Sequence, residues 1–171
     1  MESIIRGGKL EDAAEIAEIF NFYIRTSNVI FSERIRSEED MKELLSKIVG
    51  KYPFYVIEEA GKVRGYCYAH LWMPDPVYSQ SLELTEYLEN GYSGKGKGSE
   101  LLRVVIEECF EKGAHALVSF VTGGNVPCER MMDRFGFKLR GVMREVGYKF
   151  SAYHDDAFYE LLAADYAEGK V

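Results

Sequence analysis

The sequence predicts a single α/β domain spanning all 171 residues, a mixed central sheet of about seven strands flanked by about four helices. Three observations point there. Stretches rich in β-branched and aromatic residues alternate with stretches whose apolar side chains recur at helical spacing. Glycine and proline turn signals close several of these stretches, and no repeat, low-complexity run or linker interrupts the series. The resulting order is strand, two helices, three strands, helix, strand, helix and two strands.

Taken in order, Ser3 to Arg6 is a short apolar run ended by Gly7-Gly8, a first strand. Leu10, Ala13, Ile16, Ala17, Phe20 and Ile24 then share a helical face, with Glu11 and Asp12 in the first turn, where the helix dipole favours acids. Met41, Leu44, Leu45 and Ile48 repeat the pattern over Glu38 to Val49. Phe54 to Glu58 and Val63 to Leu71 read as strands joined by the hairpin signal Glu59-Ala60-Gly61-Lys62. Pro74 and Pro76 make Trp72 to Gln80 a loop, and Ser81 to Leu88 has strand character despite Glu83 and Glu86. Leu101, Leu102, Val105, Ile106, Cys109 and Phe110 stripe a helix from Ser99 that Lys112 and Gly113 close. Ala116 to Val121 is a buried strand. Pro127 opens a helix that Gly136 ends, and Leu139 to Leu162 holds two strands around Ser151-Ala152.

Composition excludes several function classes. A formal net charge of -7 leaves no concentrated basic face for nucleic acid or an anionic membrane, so a bound polyanion has to be captured locally. Cys67, Cys109 and Cys128 are odd in number, far apart and matched to no histidine at metal-ligand spacing, so they read as reduced thiols and no metal site is expected. The N-terminus lacks the apolar core of a signal peptide and no apolar run approaches a bilayer span, so the expected location is the cytoplasm.

The chemistry begins at GYSGKGKGSELL, Gly91 to Leu102. A strand that turns through glycines into a helix start gathers backbone N–H groups and the positive end of the helix dipole at one point, a cradle for phosphate or pyrophosphate. Lys95 and Lys97 add charge, while Gly94, Gly96 and Gly98 let the backbone approach a ligand. Gly91, Gly96 and Lys97 also match the nucleotide loop G-x-x-x-x-G-K. Gly98, however, stands where Ser or Thr must hold Mg²⁺, which argues against NTP hydrolysis.

SGKGKG before an apolar helix resembles the pyrophosphate loop of the GNAT superfamily of N-acetyltransferases. Four further stretches are similar to its phosphinothricin or methionine sulfoximine N-acetyltransferase family: SNVIFSE (Ser27 to Glu33), Tyr52 to Ala69, Asn125 to Phe137 ending in RFGF, and REVGYKF (Arg144 to Phe150) before Tyr153-His154-Asp155. The resemblance implies a GNAT fold and acetyl-CoA as co-substrate, its pyrophosphate on the amides of Ser93, Gly94, Lys95, Gly96, Lys97, Gly98 and Ser99, its pantetheine arm beside Leu88, and Asn125 on the cofactor arm. Asn125 also suits a helix N-cap. It further implies transfer of an acetyl group to the primary amine of a small molecule, an amino-acid analogue or another amine. A non-catalytic acyl-CoA sensor is the alternative reading.

An aliphatic ammonium has to lose a proton before it attacks a thioester, so a carboxylate base is expected. Glu83 aligns with the family glutamate and is the candidate base or amine-orienting group, with Glu86 its competitor. Their odd separation points them to opposite faces of a strand. Backbone N–H near Leu88 is the candidate oxyanion donor, given a bulge there. Three departures stand out. Ser93 replaces the family Arg or Gln, with Lys95 able to compensate. Met132 replaces a Tyr or His that would protonate the leaving thiolate, a role open to Tyr92 or solvent. Met73 and Asp75 replace arginines suited to a substrate carboxylate, and Asp75 is suited to a cationic amine. Phe31, Tyr78, Tyr148 and Tyr153 are candidate acceptor walls, Arg144 or Lys149 candidate anion contacts, and His154 a candidate second proton carrier. Family relatives are often homodimers, and the aromatic-rich final strand suits that assembly.

Overall fold

The computed structural model describes residues 3–168. Its elements are β1 (Ser3–Gly7), α1 (Ala13–Thr26), α2 (Glu38–Ser46), β2 (Phe54–Glu59), β3 (Lys62–Leu71), β4 (Ser81–Leu88), α3 (Lys97–Glu111), β5 (Ala116–Thr122), α4 (Val126–Arg134), β6 (Lys138–Lys149), β7 (Ala152–Leu162) and α5 (Ala163–Glu168). The seven strands form one mixed sheet in the order β1-β2-β3-β4-β5-β7-β6. Fold class and element order are those predicted; α5 and the 3-10 turns Leu10–Asp12 and Pro76–Tyr78 are additions. No helix among the described residues is long and apolar enough to cross a membrane.

Contacts group the chain into two compact units, and β4 passes between them at Glu83 and Leu84. The first comprises the chain up to Phe22, Arg34–His70 and Leu84–Lys112. Here β1 and β2 pair antiparallel from Ser3↔Glu59 to Gly7↔Tyr55. The β2–β3 hairpin turns at Ala60 and Gly61, whose φ values of 55° and 75° are those of a type I′ turn. Arg6 ties the sheet to the start of the first helical segment, donating to both Asp12 oxygens at 2.8 and 2.9 Å and to Glu58 at 2.6 Å. The apolar stripe Leu101, Leu102, Val105, Ile106 and Cys109 of α3 is buried, with α3 packed on β2. Burial pushes the Cys109 thiol up to about 12 and the Cys67 thiol well up too, so both stay protonated and unreactive.

The second unit comprises Tyr23–Glu33, Leu71–Glu83 and the chain from Gly113 onward. The β4–β5 ladder is parallel and short, from Ser81↔Ala116 to Glu83↔Val118. β5 pairs antiparallel with β7 from Ala116↔Leu162 to Thr122↔Asp156. Side chains of paired residues share a face, so this register sorts the unit into two surfaces. One carries Leu82, Leu117, Ser119, Val121, Ala157, Tyr159 and Leu161, all buried. The other carries Glu83, Val118, Phe120, Thr122, His154, Asp156, Phe158 and Glu160, and most of it is half-exposed. β6 covers the outer side of β7 with two irregularities in register, Leu139/Gly141 and Met143/Gly147.

Candidate active site

The glycine stretch lies in the first unit and is built as a cradle. After β4 the chain passes Gly91, Gly94 and Gly96, all at positive φ (81°, 84° and 77°), where a side chain would be strained. A Cβ at any of the three would meet nothing within 4 Å, so this side of the loop is open to a ligand. Gly96 is the N-cap of α3, and the first-turn amides of this 15-residue helix sit beside it with the dipole's positive end. Lys95 holds its ammonium 4.6 Å over the ring of buried Tyr92, and Lys97 bonds Glu100 at 2.7 Å. Ser93 is exposed. These features suit a diphosphate.

The strand before the cradle is held at close range. Glu89 donates its N–H to the Arg64 carbonyl at 2.7 Å and accepts from Lys62 at 2.7 Å through its carboxylate. Leu88 lies so near Gly65 that a Cβ there would come 2.4 Å from its Cδ2. Glu86 faces Gly98, where a Cβ would sit 3.3 Å from its Oε1. Part of Glu86 reaches solvent, yet both carboxyl oxygens are sealed from it and find no hydrogen-bond partner among the described residues. Burial pushes this carboxyl up to about 8.

The acceptor-side candidates lie in the second unit. Glu83 is half-buried beside Val118. On the same face Phe120 and Phe158 pack with ring centroids 5.2 Å apart, Trp72 stacks on Phe158 at 5.9 Å, and Tyr78 meets Trp72 edge-on at 5.4 Å. Asp75 accepts the Val77 N–H at 3.0 Å and so caps the 3-10 turn that carries Tyr78. The residue the sequence suggested as a selector of cationic amines thus uses one carboxylate oxygen as a cap and is exposed.

His154 serves the backbone. Asn28 Nδ2 donates to its Nδ1 at 2.9 Å and its Nε2 donates to the Lys149 carbonyl at 2.9 Å, so neither nitrogen is available to carry a proton for catalysis. Lys149 is buried and donates to the carbonyls of Ser27 and Ile30 at 2.8 and 2.9 Å, which removes it as an anion contact. Thr122 donates to the Asn28 carbonyl at 3.2 Å. These bonds pin the segment after α1, and Phe31 at its end packs on Gly147, where a Cβ would come 2.7 Å from the ring.

Tyr153 needs correction: the register places it with Tyr148, ring centroids 5.0 Å apart, on the side of the β6–β7 hairpin opposite His154 and Asp156. It does not wall the face that carries Glu83. Arg144 is exposed in the irregular stretch of β6. Asn125 accepts the Cys128 N–H at 3.4 Å as N-cap of α4, and Met132 is buried in that helix. The sequence reading did not single out Asp156, Phe158, Phe120 or Trp72, which lie on or pack against the face that carries Glu83. The signal was present: His154, Asp156, Phe158 and Glu160 occupy every second position of one strand.

A mixed sheet whose fourth strand feeds a glycine anion cradle at a helix start defines the acetyl-transfer class that the sequence resembles. Residues 5–158 match the acetyltransferase (GNAT) domain model, and the chain belongs to that family and is an N-acetyltransferase. It is 30% identical to phosphinothricin N-acetyltransferase of Streptomyces viridochromogenes, over 91% of this chain and 85% of that one. It is 28% identical to the L-methionine sulfoximine/L-methionine sulfone acetyltransferase of Salmonella typhimurium, over 95% and 96%. Among solved structures, the phosphinothricin acetyltransferase of Sinorhizobium meliloti in complex with acetyl-CoA superposes with a TM-score of 0.90 at 28% identity, covering 95% of this chain and 89% of that one.

Proposed function

We propose that the chain moves the acetyl group of acetyl-CoA to the primary amine of a small molecule. The observation that carries this is the cradle: three positive-φ glycines with an open side, set at the N-terminus of α3. The amides of Ser93 to Ser99 hold the pyrophosphate, with Lys95 and Lys97 close enough to exchange their present partners for it. Bound acetyl-CoA supplies the activated thioester. Asn125 contributes to the cofactor arm from its capping position.

Glu83 takes the proton from the acceptor ammonium, directly or through a water, so that the nitrogen lone pair can attack. Its place on the half-exposed face beside Phe120 supports that role over Glu86, whose carboxyl is sealed on the α3 side. The Leu88 backbone N–H steadies the oxyanion. Because Met132 is apolar and buried, the departing thiolate takes its proton from Tyr92 or solvent. Phe31 and Tyr78, both part-exposed, line the acceptor's approach. The protein works in the cytoplasm as a homodimer.

Thiol release with acetyl-CoA against a panel of amines tests the reading. Some primary amine is turned over, and Glu83→Gln lowers kcat by about a hundredfold, as expected for a lost general base, while Glu86→Gln changes it only a few-fold. Stabilisation by CoA with no amine turned over would sink the catalytic reading. Equal losses in the two variants would remove Glu83 from its role.

A further inference from the structure

We infer that the acceptor carries a second positive charge and that Asp156 receives it, so that diamines or polyamines are preferred to carboxylate-bearing amines. This rests on the reading of the chain as an amine acetyltransferase and names the substrate class of that site.

The strand register sets Asp156 on the same face as Glu83, with Phe120 and Phe158 between them. Two strand spacings across and four residues along separate the two acids, roughly 15 Å between Cα atoms. The floor between them is aromatic, and Trp72 and Tyr78 extend it. A methylene chain with an ammonium at each end matches that sequence of groups: base, apolar and π surface, then carboxylate.

Asp156 is half-buried, and its carboxyl group makes no hydrogen bond or ion pair among the described residues. Burial raises its carboxyl above the ordinary value, the mark of a group short of a cation. Its neighbour Asp155 differs, since it accepts the Glu145 N–H at 2.8 Å.

Among the described residues, cations on or beside this face already have partners. Arg140 is held by Glu160 at 2.9 Å, Lys138 by Asp165 at 2.8 Å, and Lys149 by two backbone carbonyls. His154 gives its N–H to a backbone carbonyl. An amino-acid acceptor would therefore bring its own carboxylate to a face that already carries Glu83 and Asp156, and exposed Arg144 of the adjoining strand is a cation it would have to draw in.

The discriminating pair is cadaverine and n-pentylamine, which share a chain and differ by one ammonium. Initial rates of thiol release are measured for both, for spermidine and for L-methionine sulfoximine. Wild-type kcat/KM is expected to favour cadaverine or spermidine over the other two by about tenfold or more. Asp156→Asn should bring cadaverine down to the level of n-pentylamine, mostly through KM, and leave n-pentylamine within about twofold. A preference for methionine sulfoximine that Arg144→Ala abolishes, or equal losses for both amines in Asp156→Asn, would overturn the inference. Should no amine be turned over, the acetyltransferase reading fails by itself. Calorimetric titration with spermidine then decides the charge site: about tenfold weaker binding to Asp156→Asn supports it, and equal or absent binding overturns it.

Discussion

Glu86 and Glu83 share a strand and little else. The first is packed against Gly98 with both oxygens out of water, the second stands on the half-exposed face. Since burial lifts the Glu86 carboxyl to about 8 from an ordinary value near 4.5, the folded chain prefers it protonated. Below the ordinary value both folded and unfolded chains hold the proton, and stability is intact. As pH climbs towards 8 the unfolded chain gains by ionising while the folded chain does not, and stability falls, by up to a few kcal/mol at about 1.4 kcal/mol per pKa unit. Glu86→Gln cannot ionise, so its melting temperature should match wild type at pH 5 and exceed it at pH 8.5. A constant difference across that range would mean the carboxyl is not buried as described. Strand parity in the sequence says that only one of the two acids faces the acceptor, and Asn125 is legible as a cap from its position before Pro127. Which acid faces which way depends on α3 packing over one side of β4, and no local pattern encodes that.

At the scale of elements, the β4–loop–α3 passage concentrates most of what the sequence could reveal. The strand-to-glycine-to-helix change of period is local, so β4 is predicted to its observed ends and α3 to within two residues. The irregularities of β6 were not legible, because they answer to pairing with β7 and leave no hydrophobic signature of their own. Nor was the pinning of the Ser27–Ile30 segment by Lys149, a contact across 119 or more positions of chain. The cradle carries its own prediction. Gly96 holds φ at 77° in the N-cap, and valine at such an angle is strained by roughly 1–2 kcal/mol besides placing a branched side chain on the open surface. Gly96→Val should weaken CoA binding by calorimetry about tenfold or more while far-UV circular dichroism stays unchanged. Unaltered affinity would put the pyrophosphate elsewhere.

For the whole molecule, the β6–β7 hairpin presents two sides with different uses. β6 ends the sheet order and is exposed along nearly all its length. The register puts Leu139, Val142, Tyr148 and Tyr153 on one side and Asp156 and His154 on the other. Val142 is 48% and Tyr153 67% exposed, a strip of apolar surface that a monomer in water would keep at some cost. An unpaired edge strand adjoining such a strip is suited to a second copy of the chain, with β7's other face left open for the acceptor. Light scattering should therefore give the mass of a dimer for the wild type and of a monomer for Leu139→Lys/Val142→Lys. A charge added there lies on the opposite side of the hairpin from Asp156, so the monomeric variant should keep the preference of cadaverine over n-pentylamine. A wild-type monomer would leave the strip without this role. Loss of the diamine preference in the variant would instead show that assembly, and not the register of one chain, completes the acceptor face.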